Sequence, residues 1–526
     1  MTAAAAVLAA AFVAAVRRDG LEPDPDLRLL VHADPGATGP GGHELADPYE
    51  LGPLHERLTA DAERVRRGAW YTPRRLAEDL VRRAVVGPGT VIDPSCGGGV
   101  FLLAAADRLV DDGLDPADAL AHLWGCDVDP LAVAVCEAAL WWWSARSGRP
   151  VNPGPALVVG DALTDMRLPA AAAVVGNPPF LGQLRRDTAS SEGRRAELQE
   201  HFGDVVRPYT DVAWLFLLRA ARAVVPGGRV ALVQPQSLLG ARDAAGVRAA
   251  VDELADLVDL WVEDAPTFPG AVPVCAPVVE RRATRAARTQ PRSWTGALAD
   301  ERGVPDVDLD GERRLGDVAD VHAGFRDEYY GFVDAVTDGG PGPRLVTVGA
   351  IDPCAHLTDR EVRFAGRRWH DPRLHVRDLD GRARRWAEVQ AGPKLLVATQ
   401  TRVLEAVADA DGTLVGSVPV LCVRPHDPER LWHLLAALHA PAISAWLVRR
   451  TIGTARSADA CKPTAAVLAT LPLPEPGRAW DRAADLARHC SEGRADVEEL
   501  ARAADLAYGV DDAPLHAWWS ARRPRR

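Results

Sequence analysis

Seven short apolar runs constrain this chain most. They lie at residues 90–93, 123–127, 156–160, 172–176, 229–234, 257–262 and 274–279, and most are bounded by glycine, proline or an acid. Helical stretches are predicted between them: 100–109, a segment running through Trp141-Trp142-Trp143, and 211–225. Strands that alternate with helices build a mostly parallel sheet covered on both faces, the α/β class. Ligands of such sheets bind outside the carboxyl ends of the strands.

The fourth run stops most abruptly, with Val174-Val175-Gly176 entering Asn177-Pro178-Pro179-Phe180. Two prolines cannot donate to a ladder, and they bias Asn177 away from the α region. The strand therefore ends on a stiff turn that carries an amide and an aromatic ring. A merely structural proline turn with a core Phe is the plain alternative. The other strand ends decide against it. The first opens into Asp93-Pro94-Ser95-Cys96-Gly97-Gly98-Gly99-Val100, whose glycines let the backbone approach a ligand and whose following helix offers free amides. No G-x-G-x-x-G is present, so the loop suits amine and carboxylate groups better than a pyrophosphate. Asp127 ends the second run and can accept from ribose hydroxyls. Asp129, two residues on, is either the acceptor instead or a helix cap. Asp161 ends the third run and can accept from an exocyclic amine.

In this order the motifs resemble the S-adenosylmethionine-dependent amino-methyltransferases, most closely the adenine-N6 DNA methyltransferases. The resemblance spans about residues 68–279. It implies a Rossmann-like seven-stranded methyltransferase domain with S-adenosyl-L-methionine as cofactor. Cofactor-binding residues would be Tyr71, Thr72 and Pro73, then Asp93, Pro94, Cys96, Gly97 and Gly99 of the loop, and Asp127 and Asp161. The catalytic turn would be Asn177, Pro178, Pro179 and Phe180, and Pro226-Gly227-Gly228 with Gln234-Pro235-Gln236-Ser237 resembles the later strand. The chain departs from the family at Gly98, where Ser is more frequent; little consequence is expected.

The chemistry matches these residue types. An adenine amine is a weak nucleophile, because its lone pair is delocalised into the ring. The Asn177 oxygen and the Pro178 carbonyl can each accept one amine hydrogen and so aim the lone pair. The base must leave the duplex to react. Phe180 offers a face for stacking, worth about 1–3 kcal/mol per base. Phe268 is either a second stacking aromatic or a core residue. Trp141 to Trp143 are expected in the core.

Placing the cofactor loop before the catalytic turn, with a long segment after both, resembles the gamma arrangement, which carries a C-terminal target-recognition domain. Residues 1–67 are expected as a helical N-terminal segment and 68–285 as the methyltransferase domain. A mixed α+β DNA-binding domain is expected over 286–475, and a helical tail over 476–526. Double-stranded DNA is the implied partner, modified at a specific sequence within a restriction-modification or phage-defence system; a separate restriction or defence subunit stays open. The net charge is −12, yet arginines at 281, 282, 285, 288 and 292, and again over 360–385, supply basic stretches for phosphates. The chain has two lysines, Lys394 and Lys462, and neither sits in the D/E-x-K context of a nuclease core. Fusion to a nuclease, or methylation of RNA or a protein glutamine, are the competing readings.

The eight cysteines include no C-x-x-C pair, so no metal site is expected and a reducing cytoplasm, near the nucleoid, is the expected setting. The apolar first sixteen residues lack a basic leader region and are short of a membrane span. They are expected as a helix packed on the protein.

Overall fold

A computed structural model describes residues 3–32, 44–59, 72–180, 192–263, 273–284, 293–309, 311–324, 332–379, 381–453, 460 and 462–524. The chain divides into two compact units, Met1–Ala297 and Leu298–Arg526.

The first unit is built on an eight-stranded sheet: β1 (Val91–Asp93), β2 (Leu123–Asp127), β3 (Leu157–Val159), β4 (Ala171–Gly176), β5 (Val224–Leu232), β6 (Gln234–Pro235), β7 (Ala255–Val262) and β8 (Val274–Arg281). All seven predicted strands are present, and Gln234–Pro235 is a short separate one. The order runs β3-β2-β1-β4-β5-β8-β6, with β7 also on β8. β1 to β5 pair in parallel, whereas β8 is antiparallel to β5, β6 and β7. The order reverses direction between β1 and β4, where a doubly wound sheet opens a crevice.

One face of the sheet is covered by the helices at Arg74–Ala84, Val100–Asp111 and Pro130–Arg146, which join β1, β4 and β5 in one core. The N-terminal helix Ala3–Arg18 packs on this layer through fully buried Leu8, Phe12 and Val16. Each such side chain contributes about 1.5–3 kcal/mol on leaving water. Phe12 meets Trp141 and Trp142 edge-on at 6.1 and 6.3 Å, so these tryptophans are core residues. The indole of Trp142 donates to Asp19 at 2.9 Å and that of Trp143 to Asp107 at 2.7 Å. Helix Val212–Ala223 packs against β5 and β8, with Ala245–Asp252 beside it.

The second unit contains an antiparallel sheet ordered Glu405–Asp409, Lys394–Ala398, Leu421–Pro425, Ala319–Ala323. A smaller mixed sheet pairs Val336–Asp338, Pro372–Leu374, Arg344–Val346 and Leu414–Gly416. Helices Leu431–Leu438, Pro441–Thr451, Arg478–Ser491 and Val497–Ala507 share one core with the antiparallel sheet. The C-terminal helices thus pack within this unit through Trp480, Ala483, Ala487 and Leu500. Lys394 is buried and ion-paired with buried Asp409, whose carboxylate also accepts from the Thr413 and Leu414 amides, each at 2.9 Å. Among the described residues no single helix is long and apolar enough to cross a membrane. The bent pair 428–438 and 441–451, which together have the length and composition for a span, is mostly buried in this core.

Candidate functional site

The carboxyl ends of β1 to β4 meet in one cavity of about 460 Å³, within the usual range for a small-molecule site. Each strand end is fixed by local polar geometry. Beyond β1, the Asp93 carboxylate accepts from the Ser95 amide at 3.0 Å, and the Cys96 amide donates to the Cys126 carbonyl of β2 at 2.9 Å. Gly97 and Gly99 take φ of +48° and +88°, the left-handed region that favours glycine. A Cβ at Gly99 would lie 2.8 Å from the Cys136 sulfur, so this glycine also admits helix Pro130–Arg146 to the loop.

Asp127 accepts from the Gly97 amide and the Asp129 amide, each at 2.9 Å, and so ties the end of β2 to the loop beyond β1. Asp129 caps helix Pro130–Arg146 through the Leu131 amide at 2.9 Å; the cap alternative is realised, and the residue also lines the cavity. Beyond β3, Asp161 accepts from the Leu163 amide at 2.8 Å and is ion-paired with Arg194 of helix Glu192–Phe202. Arg194 also bonds Glu197 at 2.7 Å and the Thr164 hydroxyl at 3.2 Å. Beyond β4, the Asn177 side-chain nitrogen donates to the Thr72 hydroxyl at 3.0 Å. That bond orients the amide and leaves its oxygen as the acceptor end.

The cavity brings together Thr72, Asp93, Pro94, Cys96, Gly97, Asp127, Asp161, Asn177 and Pro179 of the expected set. Pro73 stands just outside as the residue before helix Arg74–Ala84, Gly99 lies against helix Pro130–Arg146, and Pro178 is buried. Phe180 is half-buried and packs on the core. Tyr71 and Phe268 lie outside the described residues, as do Arg285, Arg288 and Arg292. Arg281 and Arg282 are committed to the first unit: Arg281 donates to the Ala221 and Arg222 carbonyls, and Arg282, only 7% exposed, pairs with Asp256. The basic-linker reading is corrected for these two, whose guanidinium groups serve chain carbonyls and a carboxylate.

Asp93 is the most perturbed carboxyl here. Complete burial pushes it up to about 8, the Ser95 amide opposes this, and the nearby Asp127 charge adds to it. Its second oxygen and the Ser95 hydroxyl are buried with no hydrogen-bond partner. Polar atoms buried in this state cost stability unless something meets them. The Cys96 thiol is held well above its ordinary range by its contact with Cys136 and by burial, and burial pushes Cys126 up to about 12. Neither serves as a thiolate.

Two close approaches were not legible beforehand. A Cβ at Gly176 would lie 2.5 Å from an Asp93 carboxylate oxygen, so the turn before Asn177 rests on the first strand's acid. A Cβ at Gly98 would lie 2.4 Å from the Gly52 Cα. The expectation that Gly98 is inconsequential is therefore overturned: helix Leu51–Leu58 sits backbone to backbone on the loop, and only glycine fits. This helix adds Gly52, His55, Glu56 and its cap Thr59 to the cavity wall. The sequence signal was the i, i+3, i+4, i+7 spacing of these residues.

Residues 43–253 match the family model described as N-6 DNA Methylase. This stretch is thus similar to the N-6 DNA methylases. It contains helix Leu51–Leu58 and the ends of β1 to β4, hence the whole described cavity wall. The methylase subunit of the type I restriction enzyme MjaIX from Methanocaldococcus jannaschii is 27% identical over 188 residues, 35% of this chain. The match spans 32% of that subunit's length. Among solved structures, the type IIL restriction-modification enzyme MmeI, in complex with DNA, is similar in fold. Its TM-score is 0.56 at 12% identity, over 91% of this chain and 81% of that one. The DrdV–DNA complex gives a TM-score of 0.50 at 12% identity, over 86% of this chain and 60% of that one.

Proposed function

We propose that the chain transfers a methyl group from S-adenosylmethionine to the N6 amine of an adenine flipped from double-stranded DNA. The supporting observation is the convergence on one cavity of the Asn177 turn, the Asp93 loop, Asp127 and Asp161. The residues fit the cofactor: Asp93 Oδ2 and Ser95 Oγ are buried polar atoms awaiting partners, and the helix opening at Val100 offers free amides. Asp127 would hold the ribose. Asp161 would meet the adenine amine, since a carboxylate retains lone pairs after accepting from Leu163 and Arg194. When bound, S-adenosylmethionine supplies an electrophilic methyl group.

The chain's own residues would then position the nucleophile. Asn177 Oδ1 and the Pro178 carbonyl accept the two amine hydrogens, and Thr72 holds the amide in that orientation. Accepting these bonds favours a pyramidal nitrogen, and charge developing on it is met by dipoles already in place. Phe180 would stack on the flipped base. The second unit, with exposed arginines at 360, 363, 367, 368, 377, 382, 384 and 385, would hold the duplex and read the target sequence. The likeness to a type I methylase subunit supports a restriction-modification or phage-defence setting, cytoplasmic and nucleoid-associated, with a separate restriction subunit as a candidate partner. Buried, ion-paired Lys394 supports modification without cleavage.

Tritiated methyl transfer to duplex DNA followed by nucleoside analysis tests this reading. N6-methyladenine is expected; label confined to RNA or protein, or cleavage of a plasmid with magnesium, overturns it.

A further inference from the structure

Both oxygens of the Asp161 carboxylate are held. Oδ1 accepts from the Leu163 amide at 2.8 Å, within its own turn, and Oδ2 is ion-paired with Nη2 of Arg194, 33 residues further along the chain. Among the described residues that line the cavity, Arg194 is the one arginine or lysine. Its guanidinium is anchored at the other terminal nitrogen: Nη1 donates to Glu197 of the same helix, Glu192–Phe202, at 2.7 Å and to the Thr164 hydroxyl at 3.2 Å. A guanidinium is planar, so fixing Nη1 fixes where Nη2 stands. The paired side chains are 28% and 21% exposed, so the pair is screened less than one on the open surface. The carboxylate cannot turn without breaking one of these bonds.

What a fixed carboxylate can distinguish follows from purine chemistry. In the proposed site Asp161 meets the exocyclic amine of the cofactor's adenine, which is a donor. A purine with an oxo group there presents an acceptor at the same place, and its nearest donor is the N–H of the adjacent ring atom. An ionised carboxylate only accepts. Held still, it meets the oxo group lone pair to lone pair; free to turn, it can take the ring N–H instead. The anchor on the carboxylate therefore decides whether this acid discriminates between the two bases.

We infer that Arg194 is a positioning residue: it holds Asp161 fixed toward the cofactor's purine and so makes the site select the amino base over the oxo base. The inference rests on the S-adenosylmethionine reading of the cavity and its assignment of Asp161 to the adenine amine. It gives the helix that follows the Asn177 turn in the chain a part in choosing the cofactor.

Calorimetric titration of the full chain with S-adenosylhomocysteine and S-inosylhomocysteine tests it, since the two differ only in the base, adenine against hypoxanthine. The unmodified protein should prefer the adenine form by about 10- to 100-fold, the range for one hydrogen bond to a charged group. In Arg194→Met the preference should fall to within about threefold. General loosening of the site weakens both probes alike and leaves their ratio unmoved. A preference unchanged in Arg194→Met, with or without weaker binding of both probes, makes the residue structural and overturns the inference. Tighter binding of the adenine form overturns it too, by making Arg194 a competitor of the amine. Should Arg194→Met not fold, Thr164→Val with Glu197→Gln frees the same guanidinium at its other end; the preference should fall there as well, and an unchanged one overturns the inference equally. Asp161→Asn separates the two readings. If Asp161→Asn loses the preference while Arg194→Met keeps it, only this inference fails; if the unmodified protein shows no preference, the assignment of Asp161 fails, and if it binds neither probe, the cofactor reading fails as well.

Discussion

Substituting Gly98 by Ser puts a heavy atom where the structure has no room. The new Cβ would stand 2.4 Å from the Gly52 Cα and 3.3 Å from its nitrogen. Carbon pairs settle at about 3.5–4.0 Å, so loop and helix must part by roughly 1 Å or more. Both atoms belong to backbone, so no side chain can swing aside. Overpacking of this kind costs about 1–3 kcal/mol. With an unfolding entropy near 2.1 cal/mol/K per residue, a first unit spanning Met1–Ala297 should lose about 2–5 °C in melting temperature. The displaced helix also carries part of the cavity wall, so cofactor affinity should fall with stability. Differential scanning calorimetry of the full chain, with and without S-adenosylmethionine, reads both effects. A Gly98→Ser protein that melts within 1 °C of the parent (on the order of the measurement error) and binds the cofactor equally well would refute the packing argument.

Further perturbations probe the rest of the molecule. Asn177→Ala should abolish methyl transfer while leaving cofactor binding intact, and Thr72→Val, which removes the acceptor for the Asn177 amide, should lower kcat with a smaller effect on binding; loss of cofactor affinity in Asn177→Ala would argue for a structural turn. Asp93 sits at about 8 in the folded protein, against about 3.9 unfolded; its contribution is fully present below the unfolded value and declines as pH rises toward 8, with a slope approaching ~1.4 kcal/mol per pH unit. The stability of the parent relative to Asp93→Asn, followed by urea titration from pH 5 to 8, should therefore fall with pH, and a flat difference contradicts the burial argument. Lys394→Met leaves buried Asp409 without its cation and should destabilise the second unit by about 3–5 kcal/mol; Lys394→Met with Asp409→Asn should recover part of that loss in the same denaturation assay.

The sheet and the site were legible because glycine, proline and acids punctuate the strand ends. Asp93, Asp127, Asp161 and Asn177 could be placed at one edge from spacing alone, since β1 to β4 are parallel and their carboxyl ends must align. Less could be read where partners lie far apart in sequence. The ion pair of Asp161 with Arg194, and the strand pairing of Ala319–Ala323 with Leu421–Pro425, join segments with no local signature. β5 begins at Val224, before Pro226-Gly227-Gly228, because Val224 pairs with Ala171 and the ladder bulges there before Ala173 meets Arg229. The prolines and glycines around it masked Gly52, a helical residue whose missing side chain matters only because Gly98 lies opposite it.

The contact of Gly176 with the Asp93 carboxylate bears on how chains of this fold can be recombined. The turn beyond β4 rests on the Asp93 carboxylate at the end of neighbouring β1, with no room for a side chain at residue 176. A chimaera that imports the Asn-Pro-Pro-Phe turn from another chain of this fold brings that protein's spacing between the first and fourth strands with it. The smallest segment that can be grafted intact therefore runs from Val91 through Phe180, and a crossover inside it separates two halves that were shaped against one another.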